Sequence, residues 1–122
     1  MSELAPSILS ADFMHLGEQL HTLEESGLKV LHVDVMDGVF VPSISFGMPV
    51  IKSIRTGCQM MFDVHLMIKE PARYIKEFVE AGADSITVHV EACSDIGETI
   101  TVMKQYPVKR ALSVNPGTDV NV

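Results

Sequence analysis

Residues 29–36 read KVLHVDVM, residues 60–67 read MMFDVHLM and residues 85–90 read SITVHV. Each run alternates in character with a period of two, as a strand does. One set of alternate positions is apolar: Val33 and Val35, then Phe62, Val64 and Leu66, then Ile86, Val88 and Val90. The other set holds His32, Asp34 and Met36, then Asp63, His65 and Met67, then Thr87, His89 and Glu91. An open sheet with helices on both faces should be apolar on both. One apolar and one polar face suits helices outside and a site-bearing interior, as in a (β/α)8 barrel.

Outward from these runs, helical periods fill the gaps. Leu4–Leu9 reads as a first strand. Ser10 or Asp12 then caps a helix that buries Phe13, Leu16, Leu20 and Leu23 and stops at Gly27. A short helix through Val50, Ile51 and Ile54 closes at Gly57. Glu70–Gly82 forms a third helix with Pro71 in its first turn, and Asp95–Tyr106 a fourth, stopped by Pro107. Val108–Val114 is the fifth strand, followed by a turn at Asn115-Pro116-Gly117. The strict β-α alternation predicts a parallel sheet with right-handed crossovers.

The chain has 122 residues, whereas a complete barrel takes about 250 and at least roughly 200. We therefore expect a single domain over 1–122, a little over half of a (β/α)8 barrel, with about five strands and four helices. Its edge strands would be unpaired and its inner face open. Such edges favour association, so a homo-oligomer, or completion by a longer protein, is expected.

Composition excludes several classes. The chain is 47% hydrophobic and 20% charged, ordinary for a well-cored globular unit. Nine Lys and Arg against 16 Asp and Glu give a net charge of −7 with no basic patch, so no nucleic-acid partner is expected. No run approaches the 18 or so apolar residues of a membrane span, and no basic segment precedes an apolar leader. Cys58 and Cys93 form no CxxC pair, which favours a reducing, cytoplasmic compartment.

The chemistry lies on the polar face. His32-x-Asp34, Asp63-x-His65 and His89-x-Glu91 each place two titratable groups on one side of a strand, near its C-terminal end. Two imidazoles and a carboxylate from adjacent strands suit a divalent metal with positions left open, and a nearby carboxylate can abstract a proton beside a polarised carbonyl. Asp63 and His89 read as residues that orient ligands. Met36 and Met67 could equally be core filling, and Ser7 could serve a backbone group. Walker, GxGxxG and nucleophile-elbow motifs are absent.

APSILSADF at 5–13, LHVDVMDGVFVPSISFG at 31–47, DVHLM at 63–67, AGADSITVHVEA at 81–92 and NPGT at 115–118 resemble the ribulose-phosphate 3-epimerase family, in register along the chain. The resemblance covers the N-terminal part of that family's (β/α)8 barrel. It implies an isomerase of the pentose phosphate pathway that inverts C3 of D-ribulose 5-phosphate, a small sugar phosphate, to give D-xylulose 5-phosphate through a 2,3-enediolate. It implies His32, Asp34 and His65 as ligands of one divalent ion (Zn, Fe(II), Co or Mn), and Asp34 as one of two acid/base carboxylates. It further implies substrate contacts at Ser7 and His65, with Met36 and Met67 lining the site. The family's second acid/base Asp and its phosphate loops belong to the C-terminal half. Ser43 stands where the family usually has Asn. Two alternatives remain: a related hexulose-phosphate 3-epimerase, or an inactive, self-associating half-barrel.

Overall fold

The computed structural model describes residues 2–122. Four parallel strands form one sheet in the order β1-β2-β3-β4: β1 Val30–Met36, β2 Met61–Met67, β3 Ser85–His89 and β4 Lys109–Ser113. The intervening helices are α1 Leu16–Glu25, α2 Met48–Arg55, α3 Ile75–Ala81 and α4 Ile96–Met103. Sequential order with parallel pairing is what short strand–helix–strand crossovers produce.

The alternation in the sequence is realised as two unlike faces. Leu31, Val33 and Val35 of β1, Phe62, Val64 and Leu66 of β2, and Ile86 and Val88 of β3 are buried. They share one core with Leu20 of α1, Ile51 of α2, Ile75 and Phe78 of α3, and Met103 of α4. The polar positions point the other way and stay half-buried. We call this second side the inner face.

Register sets the site. Asp34 pairs with His65, His32 with Asp63, and Met36 with Met67 between β1 and β2, while His65 pairs with Thr87 of β3. The polar groups therefore lie in rungs across neighbouring strands.

Several expected elements differ. Leu4–Leu9 is not a strand: it makes a single parallel bridge, Ser7 to His32, before a 3-10 turn at Ile8–Ser10. Pro6 has no N–H to donate and offers only its carbonyl, which accepts from His32 N at 2.9 Å. Ser7 Oγ then accepts from Leu9 N at 3.2 Å and turns the chain away. Strand β3 ends at His89, so Val90 and Glu91 fall in a 3-10 turn, Val90–Ala92. Asp12 rather than Ser10 caps the next segment, which starts as a 3-10 turn, Phe13–His15, before α1. Phe13 in that turn is exposed instead of buried. The third helix likewise begins as a 3-10 turn, Pro71–Tyr74.

The base of the sheet is tied by Arg55, at the end of α2. Its guanidinium donates to the carbonyls of Cys58 (2.7 Å), Met60 (2.5 Å) and Gly82 (3.1 Å) and to Asp84 Oδ2 (2.9 Å), and lies 3.7 Å above the centre of the Phe62 ring. Gly82 has φ +126°, and a Cβ there would stand 2.4 Å from Arg55 Cδ, so only glycine fits this crossing.

Candidate metal and acid/base site

Asp34 is the centre of the inner face. Its Oδ2 accepts from Ser7 Oγ at 2.5 Å. Its Oδ1 is 3.0 Å from His32 Nε2 and 3.3 Å from His65 Nδ1. The single bridge between Ser7 and His32 brings the N-terminal segment to this point. One ligand atom each from His32, Asp34 and His65 lies within 4.8 Å of the others. Ligands about 2.1 Å from one ion sit roughly 3 to 3.4 Å apart, and the two distances to Asp34 Oδ1, 3.0 and 3.3 Å, match that spacing for a divalent cation. Two imidazoles and one carboxylate are donors suited to Zn, Fe(II), Co or Mn alike.

Each histidine has a further partner. His32 Nδ1 is 3.2 Å from Asp63 Oδ2, which orients the ring so that Nε2 faces Asp34. His65 Nε2 is 2.7 Å from His89 Nε2. Burial, and then the adjacent His89, lower the His65 pKa against the pull of Asp34. That favours the neutral imidazole, the form with a lone pair to give. The face stays accessible: side-chain exposure runs from 11% at His89 to 29% at Asp63.

The structure thus gathers Ser7, His32, Asp34 and His65 in one cluster. Met36 and Met67 are paired at the C-terminal ends of β1 and β2, half-buried, one rung beyond Asp34 and His65. Asp63 and His89 stand behind the two histidines. Glu91 lies farther out, its Oε2 accepting from Asn115 N at 2.8 Å. The Thr118 hydroxyl and that N–H hold its carboxyl below the usual range.

Two contributors were not visible in the sequence. Ser45 Oγ donates to Asp34 O and accepts from Met36 N, both at 2.9 Å, and so pins the long loop to β1. The Phe40 ring packs 5.1 Å from that of His89. Both lie in a loop without periodicity, where spacing carries no signal.

A parallel α/β sheet with helices on one side and this cluster on the other is the arrangement of part of a TIM-type barrel, with a candidate metal centre towards its strand ends. The model of the ribulose-phosphate 3-epimerase family matches residues 3–122. The chain is 47% identical over 122 residues to the ribulose-phosphate 3-epimerase of Bacillus subtilis (strain 168), covering 100% of the chain and 56% of that protein. It is 44% identical over 121 residues to the protein of the same name from Aquifex aeolicus (strain VF5), covering 99% and 54%. It is also 44% identical over 120 residues to that of Synechocystis sp. (strain ATCC 27184 / PCC 6803 / Kazusa), covering 97% and 52%. The chain belongs to the ribulose-phosphate 3-epimerase family. It spans about half the length of the curated relatives it matches. Among the described residues, no helix is long and apolar enough to cross a membrane.

Proposed function

We propose that this chain carries the cation-binding and first acid/base part of a ribulose-phosphate 3-epimerase site, as a single N-terminal unit of a (β/α)8 barrel. The substrates would be D-ribulose 5-phosphate and D-xylulose 5-phosphate. The observation that carries this reading is the convergence of His32, Asp34 and His65 within 4.8 Å, with Ser7 bonded to Asp34.

His32, Asp34 and His65 would hold the cation. When bound, a zinc, iron(II), cobalt or manganese ion supplies Lewis-acid stabilisation of the charge developing on the C2 oxygen. Asp34 takes the proton from C3, a step made feasible by the adjacent carbonyl. Ser7, bonded to Asp34 Oδ2, orients that carboxylate and is placed to contact the sugar. Met36 and Met67 present an unreactive wall at the strand ends. Inversion needs a second proton donor on the opposite face of C3. Glu91 does not serve, because Asn115 and Thr118 already engage its carboxylate. The second donor is expected from outside these 122 residues.

Cys58 and Cys93 are free, which fits a reducing, cytoplasmic setting. Strand β4 is exposed along Lys109–Leu112, with Leu112 at 49%, so we infer self-association through this edge.

The test is proton NMR of D-ribulose 5-phosphate in D2O with the 122-residue chain and added cobalt or zinc. Solvent deuterium should enter at C3 without net inversion, because Asp34 serves one face only. Asp34→Asn should abolish the exchange. No exchange by the metal-loaded chain, or exchange that survives Asp34→Asn, would overturn the reading.

A further inference from the structure

We propose that Asp37, Glu70 and Glu91 are positioning residues that tie each strand-end loop to the next and so fix the mouth of the candidate site. This rests on the reading of the inner face as a sugar-phosphate site and concerns how its walls are held.

A carboxylate spans each junction between neighbouring strands, just past the strand ends. Asp37, after β1, accepts from Lys69 N, after β2, at 2.8 Å. Glu70, after β2, accepts from Ser94, after β3: its Oε1 from the backbone N–H at 2.8 Å and its Oε2 from the hydroxyl at 3.0 Å. Glu91, after β3, accepts from Asn115 N, after β4, at 2.8 Å. In every case the acceptor stands on the earlier loop and a backbone N–H of the later loop donates. The strand ladders have ended there, yet the backbone still needs partners. A charged acceptor makes the stronger kind of hydrogen bond to such a donor. All three carboxylate residues are half-buried, which limits competition from water.

Glu70 shows that these ties are not incidental. Its φ is +51°, and among the described residues it alone has positive φ without being glycine. Glycine is the ordinary occupant of that conformation, so the glutamate is there for its side chain. The same turn aims Glu70 N at Ala92 O, 2.8 Å away. Backbone and carboxylate thus both reach the loop after β3. Such a conformation persists where its surroundings over-determine it, and here the next loop does so.

The tied loops border the site. The other oxygen of Asp37 accepts from Val39 N and Phe40 N, and the Phe40 ring packs 5.1 Å from that of His89. The Lys69 tie lies just beyond the Met36–Met67 rung. In a barrel-type sheet these loops build the walls around the substrate. The three carboxylates engage backbone rather than reacting atoms. Cutting a tie therefore loosens substrate binding and leaves the proton transfer at Asp34 in place.

The experiment uses the full 122-residue chain, unsubstituted and as Glu70→Gly and Glu70→Gln. Glycine relieves the positive φ but removes the tie, whereas glutamine keeps an oxygen for Ser94. Amide exchange by NMR reads the protection of Ser94 N–H in the metal-free protein. Deuterium entry at C3 of D-ribulose 5-phosphate, with zinc added, reads KM and the saturating rate. In Glu70→Gly, Ser94 should lose protection at least about 5-fold while the amides within β2 and β3 keep theirs. KM should rise at least about 5-fold, with the saturating rate within about 2-fold of the unsubstituted chain. Glu70→Gln should restore most of both. Unchanged Ser94 protection or unchanged KM in Glu70→Gly overturns the proposal, as does a fall confined to the saturating rate. Should Glu70→Gly fail to fold, the unsubstituted chain decides: protected Lys69, Ser94 and Asn115 amides support the ties, and unprotected ones overturn them. A chain that gives no C3 exchange sinks the sugar-phosphate reading, and Ser94 protection in Glu70→Gly then still decides the tie.

Discussion

One oxygen of Asp34 is approached by ring nitrogens from two strands, at 3.0 and 3.3 Å. A carboxylate so placed is either a hub of hydrogen bonds or one of three donors around an ion, and His32 separates the two uses. Its far nitrogen is backed by Asp63 at 3.2 Å. We predict that Asp63→Asn keeps the fold but weakens zinc binding about 10- to 100-fold, measured by chelator competition. Asp37 has a different task. Its carboxylate accepts from Val39 N (2.8 Å), Phe40 N (2.9 Å) and Lys69 N (2.8 Å), joining the turn after β1 to the end of β2. Burial raises its pKa, but these backbone donors outweigh burial and hold it below the usual range. A depressed carboxyl stabilises the fold above its unfolded value, and the contribution is lost as pH falls through its folded value. The melting temperature should therefore fall below about pH 4, near the ordinary Asp range. In Asp37→Asn, thermal melts should show a smaller acid-induced drop.

Elements were legible where their pattern is strong. Strands β1 and β2 follow from strict alternation, and their aliphatic sides are the buried ones. That polar groups of β1 and β2 converge on one face was legible for the same reason, since the side chains of i and i+2 share a face and parallel neighbours align them, whereas the choice of His32, Asp34 and His65 among them came from the family resemblance. The contact of His65 with His89 was not, because it runs diagonally, with His65 in register with Thr87. The first strand misled because Leu4–Leu9 has the composition of a strand, while Pro6 and Ser7 turn its backbone groups to other uses. Arg55 was invisible because its partners are carbonyls, which sequence does not display. Arg55→Ala would leave the carbonyls of Cys58, Met60 and Gly82 without this donor. We expect it to cost about 2–3 kcal/mol in urea unfolding, scaled for a partly exposed side chain. Gly82→Ala should cost at least about 1 kcal/mol from its backbone conformation, before the clash with Arg55 is counted.

At the scale of the whole molecule, the two sides of the sheet are finished to different degrees. Helices seal one side, where Val88 is fully buried, yet Leu112, paired with it on β4, is 49% exposed. We expect sedimentation velocity to show association that grows with protein concentration, and Leu112→Lys to reduce it. A monomer at all concentrations would contradict self-association through β4. The inner face is open as well, and there the polar cluster stands on rigid strands before any partner is added. We propose on this basis that His32, Asp34 and His65 form one metal centre within this chain. The most direct test is a cobalt(II) titration followed by visible absorption. One ion should bind per chain, with d–d bands that are lost in Asp34→Asn and His65→Ala. Absence of bands in the unsubstituted chain, or the same bands in Asp34→Asn, would contradict it.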